Sequence, residues 1–359
     1  MYTFFTIFFT ILAILIGVKW GKAKLSIVVM LLLIFMFFAF EDGPVDHKAY
    51  IEMYNQIGTN GSIGYEPLYE WLCRLGNRMS LKFDEFRIIV IVFELCLLII
   101  TIRKFTTSVA FVLTLYFIFS ASVDAELFRQ LLANTIVMFS LIFLFDKNKV
   151  ANFLIYIGLV AVAALIHSSC WFFLAFLLVK IKKKRILAII VLSITIAFLF
   201  LSMTNLFFVI LSKLPIRLEI ISKYQIGDYT NIKGNIYNFC KILLINLFGI
   251  IFYLYIKKRK KIFSFRAEQD GLMENIISFN LISFLCLIPL FYSSSAQRIL
   301  HVVIFANYLL VANAYAKKKK SFGIKFLSVG FATSFLLMLL FIESTGAVEA
   351  LVSHFVQNS

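Results

Sequence analysis

The sequence predicts an all-α, polytopic integral membrane protein with about twelve transmembrane helices, and three observations carry that prediction. Apolar residues make up 62% of the 359-residue chain, charged residues only 15%, and phenylalanine occurs 42 times. A soluble domain carries roughly 25% charged residues. The apolar residues are gathered into long runs, and about 17–20 such residues cross a bilayer as a helix that satisfies its own backbone hydrogen bonds. The remaining charges fall into short basic clusters between the runs, the pattern that orients spans.

In chain order the predicted spans are residues 2–18, 25–40, 86–102, 108–120, 131–145 and 150–166, then 169–179, 186–203, 239–256, 276–292, 299–315 and 322–342. Together they form a single transmembrane domain over residues 1–359. The first run has no basic segment before it and no small-residue cleavage pattern after it. Lys19, Lys22 and Lys24 follow instead, so it reads as a retained span rather than a signal peptide. The run 169–179 is short and reads as a tilted or broken partner of the span before it, joined through His167-Ser168. Glu94, near the middle of the third span, is costly there unless protonated or paired. A structural role is expected of it ahead of a proton relay. The five cysteines (73, 96, 170, 240 and 286) are scattered, which argues against a disulfide framework and against a metal site.

Lysine and arginine asymmetry sets the orientation. The alternate connections, whose basic clusters lie at 19–24, 103–104, 147–149, 180–185, 257–266 and 317–325, hold about 23 of the 35 basic residues, against roughly four acids. The other side has about 12 basic and 14 acidic residues. The lysine-rich connections are therefore expected in the cytoplasm and both termini outside. A net charge of +16 would suggest nucleic acid, but these basic clusters flank span ends, where they anchor topology and attract anionic membrane lipid. No nucleic-acid partner is expected.

Two external connections follow, at residues 41–85 and 205–238. In the first, Asp46 opens a helical stretch, for which an N-cap role is the plain reading. Leu68, Leu72, Leu75 and Met79 then recur at helical spacing with Trp71 beside them, and Glu70, Arg74 and Arg78 take the polar side. That is an amphipathic helix suited to the membrane interface, and Glu66, before Pro67, begins it. Near the same boundary stand Arg129-Gln130 and, one turn on, Asn134; His167 at the end of the sixth span; and Arg298 with His301 at the start of the eleventh. One arginine at a span end often only snorkels to the headgroups. Several converging with acids and histidines suit phosphoryl-linked lipids, because arginine binds phosphate with a planar, bidentate fork. Aspartate, glutamate and histidine are the groups that take a proton from an attacking hydroxyl.

These residues occur in an order that resembles the EpsG family of bacterial exopolysaccharide proteins, which are Wzy-type polysaccharide polymerases. The resemblance spans most of the chain. It rests on Asp46-x-x-x-Tyr50, on Glu66 with Tyr69, on Arg129-Gln130-Leu131-Leu132-Ala133, on Ile166-His167-Ser168-Ser169 and on Arg298 before an aromatic span. The chain departs from the family pattern in Pro44-Val45 before Asp46 and in Pro67 after Glu66.

The resemblance implies a GT-C-like glycosyltransferase architecture and an enzyme of the bacterial plasma membrane. It would join undecaprenyl-diphosphate-linked oligosaccharide repeat units into exopolysaccharide, capsule or O-antigen, with its active site outside. The pathway's chain-length regulator and flippase are implied as partners. The lipid diphosphate is itself the leaving group, so no cofactor or nucleotide is required, and no Gly-rich phosphate loop is present. Asp46, His167 or Glu66 would then activate the acceptor hydroxyl. Arg129 and Arg298, with Gln130, Asn134 and His301, would bind the substrate and its diphosphate. From the residues alone two other readings stay open: a flippase for the same lipid-linked oligosaccharide, and a membrane acyltransferase acting on surface sugars.

Overall fold

The computed structural model describes residues 23–40, 46–146, 150–203, 232–258, 267–290 and 298–317, together with Leu12 and Leu15. Apart from those two leucines, the predicted span 2–18 lies outside the described residues, as do the span 322–342 and residues 204–231 of the second external connection. Every regular element among the described residues is helical. They fall into two compact units: Met1–Leu177, Lys261–Ile276 and His301–Lys317 in the first, and Leu178–Lys260, Ile277–Leu300 and Lys318–Ser359 in the second.

The first unit begins with α1 (Lys24–Phe40), α2 (Asp46–Asn60), α3 (Pro67–Arg78), α4 (Phe83–Phe105) and α5 (Val109–Phe119). It continues with α6 (Ala121–Glu126), α7 (Phe128–Phe145), α8 (Val150–Ala164) and a 3-10 helix, Ser168–Lys180. α4 starts where the Glu85 carboxylate accepts the Lys82 backbone N–H at 2.8 Å. Asp84 and Glu85 occupy its first turn and Arg103 and Lys104 its last, each charge opposing the helix dipole. α4 packs along α7, and α7 along α8. α4 and α7 run parallel: the Phe83 and Phe128 rings meet at 5.7 Å at one end, and Phe105 and Phe145 at 5.8 Å at the other.

Among the described residues α7 is long and apolar enough to cross a membrane by itself, whereas five apolar helices are shorter, among them α5 with 11 residues. α4 has 23 residues and rises about 34 Å, but Arg87, Glu94 and Arg103 interrupt its apolar run. The expected broken partner of α8 is a 3-10 helix of 13 residues. At about 2.0 Å per residue it rises roughly 26 Å where an α-helix would give about 20 Å, so a short apolar run reaches further than its length suggests.

The second unit contains α9 (Lys184–Met203) and α10 (Ile232–Lys258), joined by the end of α11 (Ala267–Ile282). The predicted span 276–292 is interrupted: α11 passes into a 3-10 turn, Ser283–Cys286, and then α12 (Leu287–Leu290). Pro289 explains the break, since it lacks an N–H and its ring crowds the carbonyl four residues earlier. The freed polarity is absorbed laterally. The Ser283 hydroxyl donates to Asn246 Oδ1, and Gly249 lets Asn280 approach so closely that a Cβ there would lie 2.4 Å from Oδ1. Such interhelical polar pairs hold spans together in lipid. The Lys184 ammonium donates to the Ser278 hydroxyl in the same unit.

Apolar side chains cover the outer faces of these helices. Leu25, Val28, Leu32 and Met36 on α1 are each at least half exposed, and Ile189, Leu192, Ile196 and Phe200 repeat the pattern on α9. Periodic apolar faces of that extent are a liability in water and the ordinary surface of a helix in lipid. The chain is a helical membrane protein.

Candidate functional site

The helix α13 (Leu300–Lys317) completes the first unit, its Asn313 amide donating to the Phe105 carbonyl at 3.2 Å. The unit then has two distinct ends. One gathers Phe105, Phe145 and Asn313, next to the lysine-rich connections. The other gathers the starts of α4 and α7, the end of α8 and the loop before α3, and there the polar chemistry concentrates.

The loop is shaped by two glycines with positive φ, Gly61 (82°) and Gly64 (92°), a conformation that side chains resist. The amides of Ile63, Gly64 and Tyr65 point inward and donate to one oxygen of Glu70 at 2.9–3.0 Å. Successive backbone N–H groups make an anion nest, and here the protein's own carboxylate fills it. Glu70 is thus buried, contrary to its expected place on the polar side of α3. Burial works to raise its pKa, but the Ser62 hydroxyl and the three amides hold it below the usual carboxylate range.

α3 packs with Tyr69, Cys73 and Gly76 inward, while Trp71, Leu75 and Met79 are exposed. Burial pushes the Cys73 thiol up to about 12, so it is an inert packing group.

Glu66 precedes Pro67 and is held extended (φ −64°, ψ 137°) as the N-cap of α3, because proline disfavours helical backbone in the residue before it. Its carboxylate makes no cap bond and reaches across instead. One oxygen accepts from Arg129 Nη1 at 2.7 Å and the other from the Ser168 backbone N–H at 2.9 Å. The Leu68 N–H bonds to the Leu165 carbonyl at 3.0 Å, which fixes the start of α3 to the end of α8. Arg129 lies in the first turn of α7, with its guanidinium 4.7 Å from the Tyr65 ring centre and 5.7 Å from that of Tyr69. Salt bridge and aromatic faces leave it one posture, and about a sixth of the side chain stays exposed. Burial raises the Glu66 pKa, yet the charge of Arg129 and the Ser168 amide outweigh it and hold the carboxyl below its ordinary value. His167, half-buried, is beside this pair, its Nδ1 within 2.8 Å of the Ser169 hydroxyl.

Glu66, Arg129 and His167 are therefore brought together. Asp46 opens α2, and its side chain lies outside what the structure describes. Gln130 and Asn134 are buried on α7, and Gln130 Oε1 has no hydrogen-bond partner among the described residues. Arg298 belongs to the second unit. His301 takes another partner: its Nδ1 is hydrogen-bonded to Asp124 Oδ1 on α6, and both residues are buried. The Tyr116 hydroxyl donates to the other oxygen of Asp124 at 2.7 Å.

Asp124 was invisible to sequence reasoning because it sits between two apolar runs with no motif around it. Arg87 was also missed: it donates to the Phe38 carbonyl, one of the unpaired carbonyls ending α1, and lies 3.2 Å from His47 Nδ1. Its signal was a lone arginine at the head of an apolar run.

Comparison with known proteins adds one identification. No curated protein and no solved structure matches the chain significantly. The profile of the EpsG family matches residues 24–354, nearly the whole sequence and every element of the polar end. The chain belongs to the EpsG family, a family of Wzy-type polysaccharide polymerases.

Proposed function

We propose that this protein is the glycosyltransferase that joins undecaprenyl-diphosphate-linked oligosaccharide repeat units into an exopolysaccharide chain at the outer face of the bacterial plasma membrane. Family membership supports a polymerase of exopolysaccharide biosynthesis. The observation that carries the finer reading is the posture of Arg129, fixed by Glu66 and two tyrosine rings at the end of the unit away from the lysines. A pre-oriented guanidinium there is suited to the charge that develops on a departing lipid diphosphate. In the reaction an acceptor sugar oxygen bonds to the anomeric carbon of the growing chain. The bond from that carbon to the diphosphate breaks, and the diphosphate leaves with the electron pair.

Glu66 suits the role of holder better than that of base, since a base needs a pKa near neutrality and Glu66 is held low by Arg129. Arg298, in the second unit, is a candidate for a diphosphate role from its place in the family pattern alone. The exposed Trp71 and Leu75 of α3, with Met79 at its C-cap, suit a helix lying among headgroups, where a lipid-linked substrate arrives.

The test is polymerisation of a lipid-linked repeat unit by purified protein in bilayers. R129A and R298A are each expected to lose at least about a hundredfold in rate. Full activity in both would overturn the diphosphate role. A flippase for the same lipid is favoured by one observation, the broken α11–α12 segment with buried Asn246 and Asn280, since transporters bind at such breaks. Movement of a fluorescent lipid-linked sugar across the membrane without chain growth would select it.

A further inference from the structure

Within the first unit a second polar centre lies inside the helices, away from the Arg129–Glu66 pair in its bonding. Asp124 on α6 is 1% exposed and His301 on α13 is 5% exposed. The two are joined through Oδ1 and Nδ1, while Tyr116 from α5 donates to Oδ2. With Nδ1 committed to the carboxylate, the imidazole's remaining nitrogen, Nε2, is the one left to exchange a proton. A carboxylate that fixes Nδ1–H sets the tautomer in which Nε2 accepts a proton. Ser120 and Tyr308 bond to each other at 2.8 Å near by, and Tyr308 lies on the same helix as His301.

Glu94, on α4, is the independent sign of a ligand. It is 2% exposed, neither carboxylate oxygen has a hydrogen-bond partner among the described residues, and Asp124 and Arg87 lie within its electrostatic reach. Gln130 Oε1 on the adjoining α7 is a further buried acceptor without a donor among the described residues. Buried acceptors left unmatched are costly in a native protein, so a missing donor is indicated. A sugar is a dense array of hydroxyl donors. Asp124 and Arg129 are separated by five residues of chain, which bounds the distance between their Cα atoms at roughly 17 Å. A sugar in this centre is thus near the proposed diphosphate group.

We propose that Asp124, His301 and Glu94 form the acceptor-sugar subsite of the polymerase, with His301 as the base that takes the proton from the attacking hydroxyl. This inference rests on the glycosyltransferase reading. Glu94 accepts hydrogen bonds from the acceptor's other hydroxyls. His301 Nε2 removes the proton as the sugar oxygen bonds to the anomeric carbon, the diphosphate leaves with the electron pair, and the imidazolium then releases its proton to water. Asp124 is a positioning residue: it acts through the imidazole.

The experiment uses the full chain in bilayers with a synthetic diphosphate-linked repeat unit as both donor and acceptor. It follows kcat, the KM for a truncated acceptor that cannot serve as donor, donor binding and thermal melting. H301Q should lose at least about a hundredfold in kcat with donor binding intact. D124N, nearly isosteric, should lower kcat with its melting point held. E94Q should raise the acceptor KM at least several-fold with kcat little changed, and it decides the subsite if the other two variants fail to fold. The proposal is overturned if H301Q keeps kcat within about threefold of wild type, if D124N lowers melting and leaves kcat alone, or if E94Q leaves the acceptor KM unchanged. Absence of any chain growth by the wild-type protein would instead overturn the glycosyltransferase reading, whatever the variants do.

Discussion

Glu66 and Glu70 sit four residues apart, and each is bent to a different task by what donates to it. Glu66 takes one side-chain cation and one amide; Glu70 takes three amides and the Ser62 hydroxyl, and its ion pair among the described residues is a loose one, with Arg74 at 3.9 Å. E66Q keeps an acceptor near Arg129 but removes the charge that holds it. The expected result is a fall in kcat/KM of about tenfold, the equivalent of some 1.4 kcal/mol. As a holder rather than a base, Glu66 should leave the apparent pKa values of the rate profile in place when it is changed. Loss of the acid limb in E66Q would reverse that assignment.

Glu70 governs the loop itself. Its pKa is lower folded than unfolded, so its contribution to stability is present above the unfolded value of about 4.5 and fades as pH falls through the folded one. E70Q is therefore expected to be less stable at pH 7 by about 1–3 kcal/mol, with the gap closing towards pH 3. Melting curves at the two pH values check it.

At the scale of elements, the packing of α2 on α3 depends on Gly76. A Cβ there would lie 2.5 Å from the Tyr54 hydroxyl oxygen and 2.9 Å from the Phe86 ring. Tyr54 cannot easily yield, because its hydroxyl is bonded to the Leu81 carbonyl at 3.0 Å and its ring stacks on Phe86 at 5.2 Å. G76A should cost about 1–3 kcal/mol through overpacking, and adding Y54F should restore part of it, as a double-mutant cycle on thermal stability would show. Nothing in the sequence marks Gly76 as different from Gly158, which has open space around its Cβ position. Helix existence was legible because hydropathy runs and breakers are local properties. The helices α1, α4, α5, α7 and α8 all begin and end within a few residues of their expected places. What hydropathy misses is geometry: Glu70 turns inward to amides five to seven residues before it, and α11 breaks ahead of Pro289 inside a run that reads as one continuous span. The same distinction divides the site. Arg129, Glu66 and His167 carry motifs and were legible; Asp124 reaches His301 across 177 residues of chain and carries none.

For the molecule as a whole, the first unit turns a charge count into geometry. Its lysine-flanked ends, at Phe105, Phe145 and Asn313, meet at one end of the helices, and Glu66, Arg129 and His167 meet at the other. The positive-inside bias then predicts which end faces the cytoplasm. Gln56 on α2 and Thr107 between α4 and α5 are both exposed and mark the two ends. In a background with the five native cysteines replaced by serine, a cysteine at position 56 should react with a membrane-impermeant maleimide on intact cells. A cysteine at position 107 should react only once the membrane is permeabilised. Serine is a conservative choice for the exposed Cys96 and Cys240, whereas Cys73, Cys170 and Cys286 are buried, so chain growth in the background protein must be checked first. Labelling of position 107 from outside, with position 56 protected, would put Arg129 on the cytoplasmic side and remove the basis for polymerisation at the outer face.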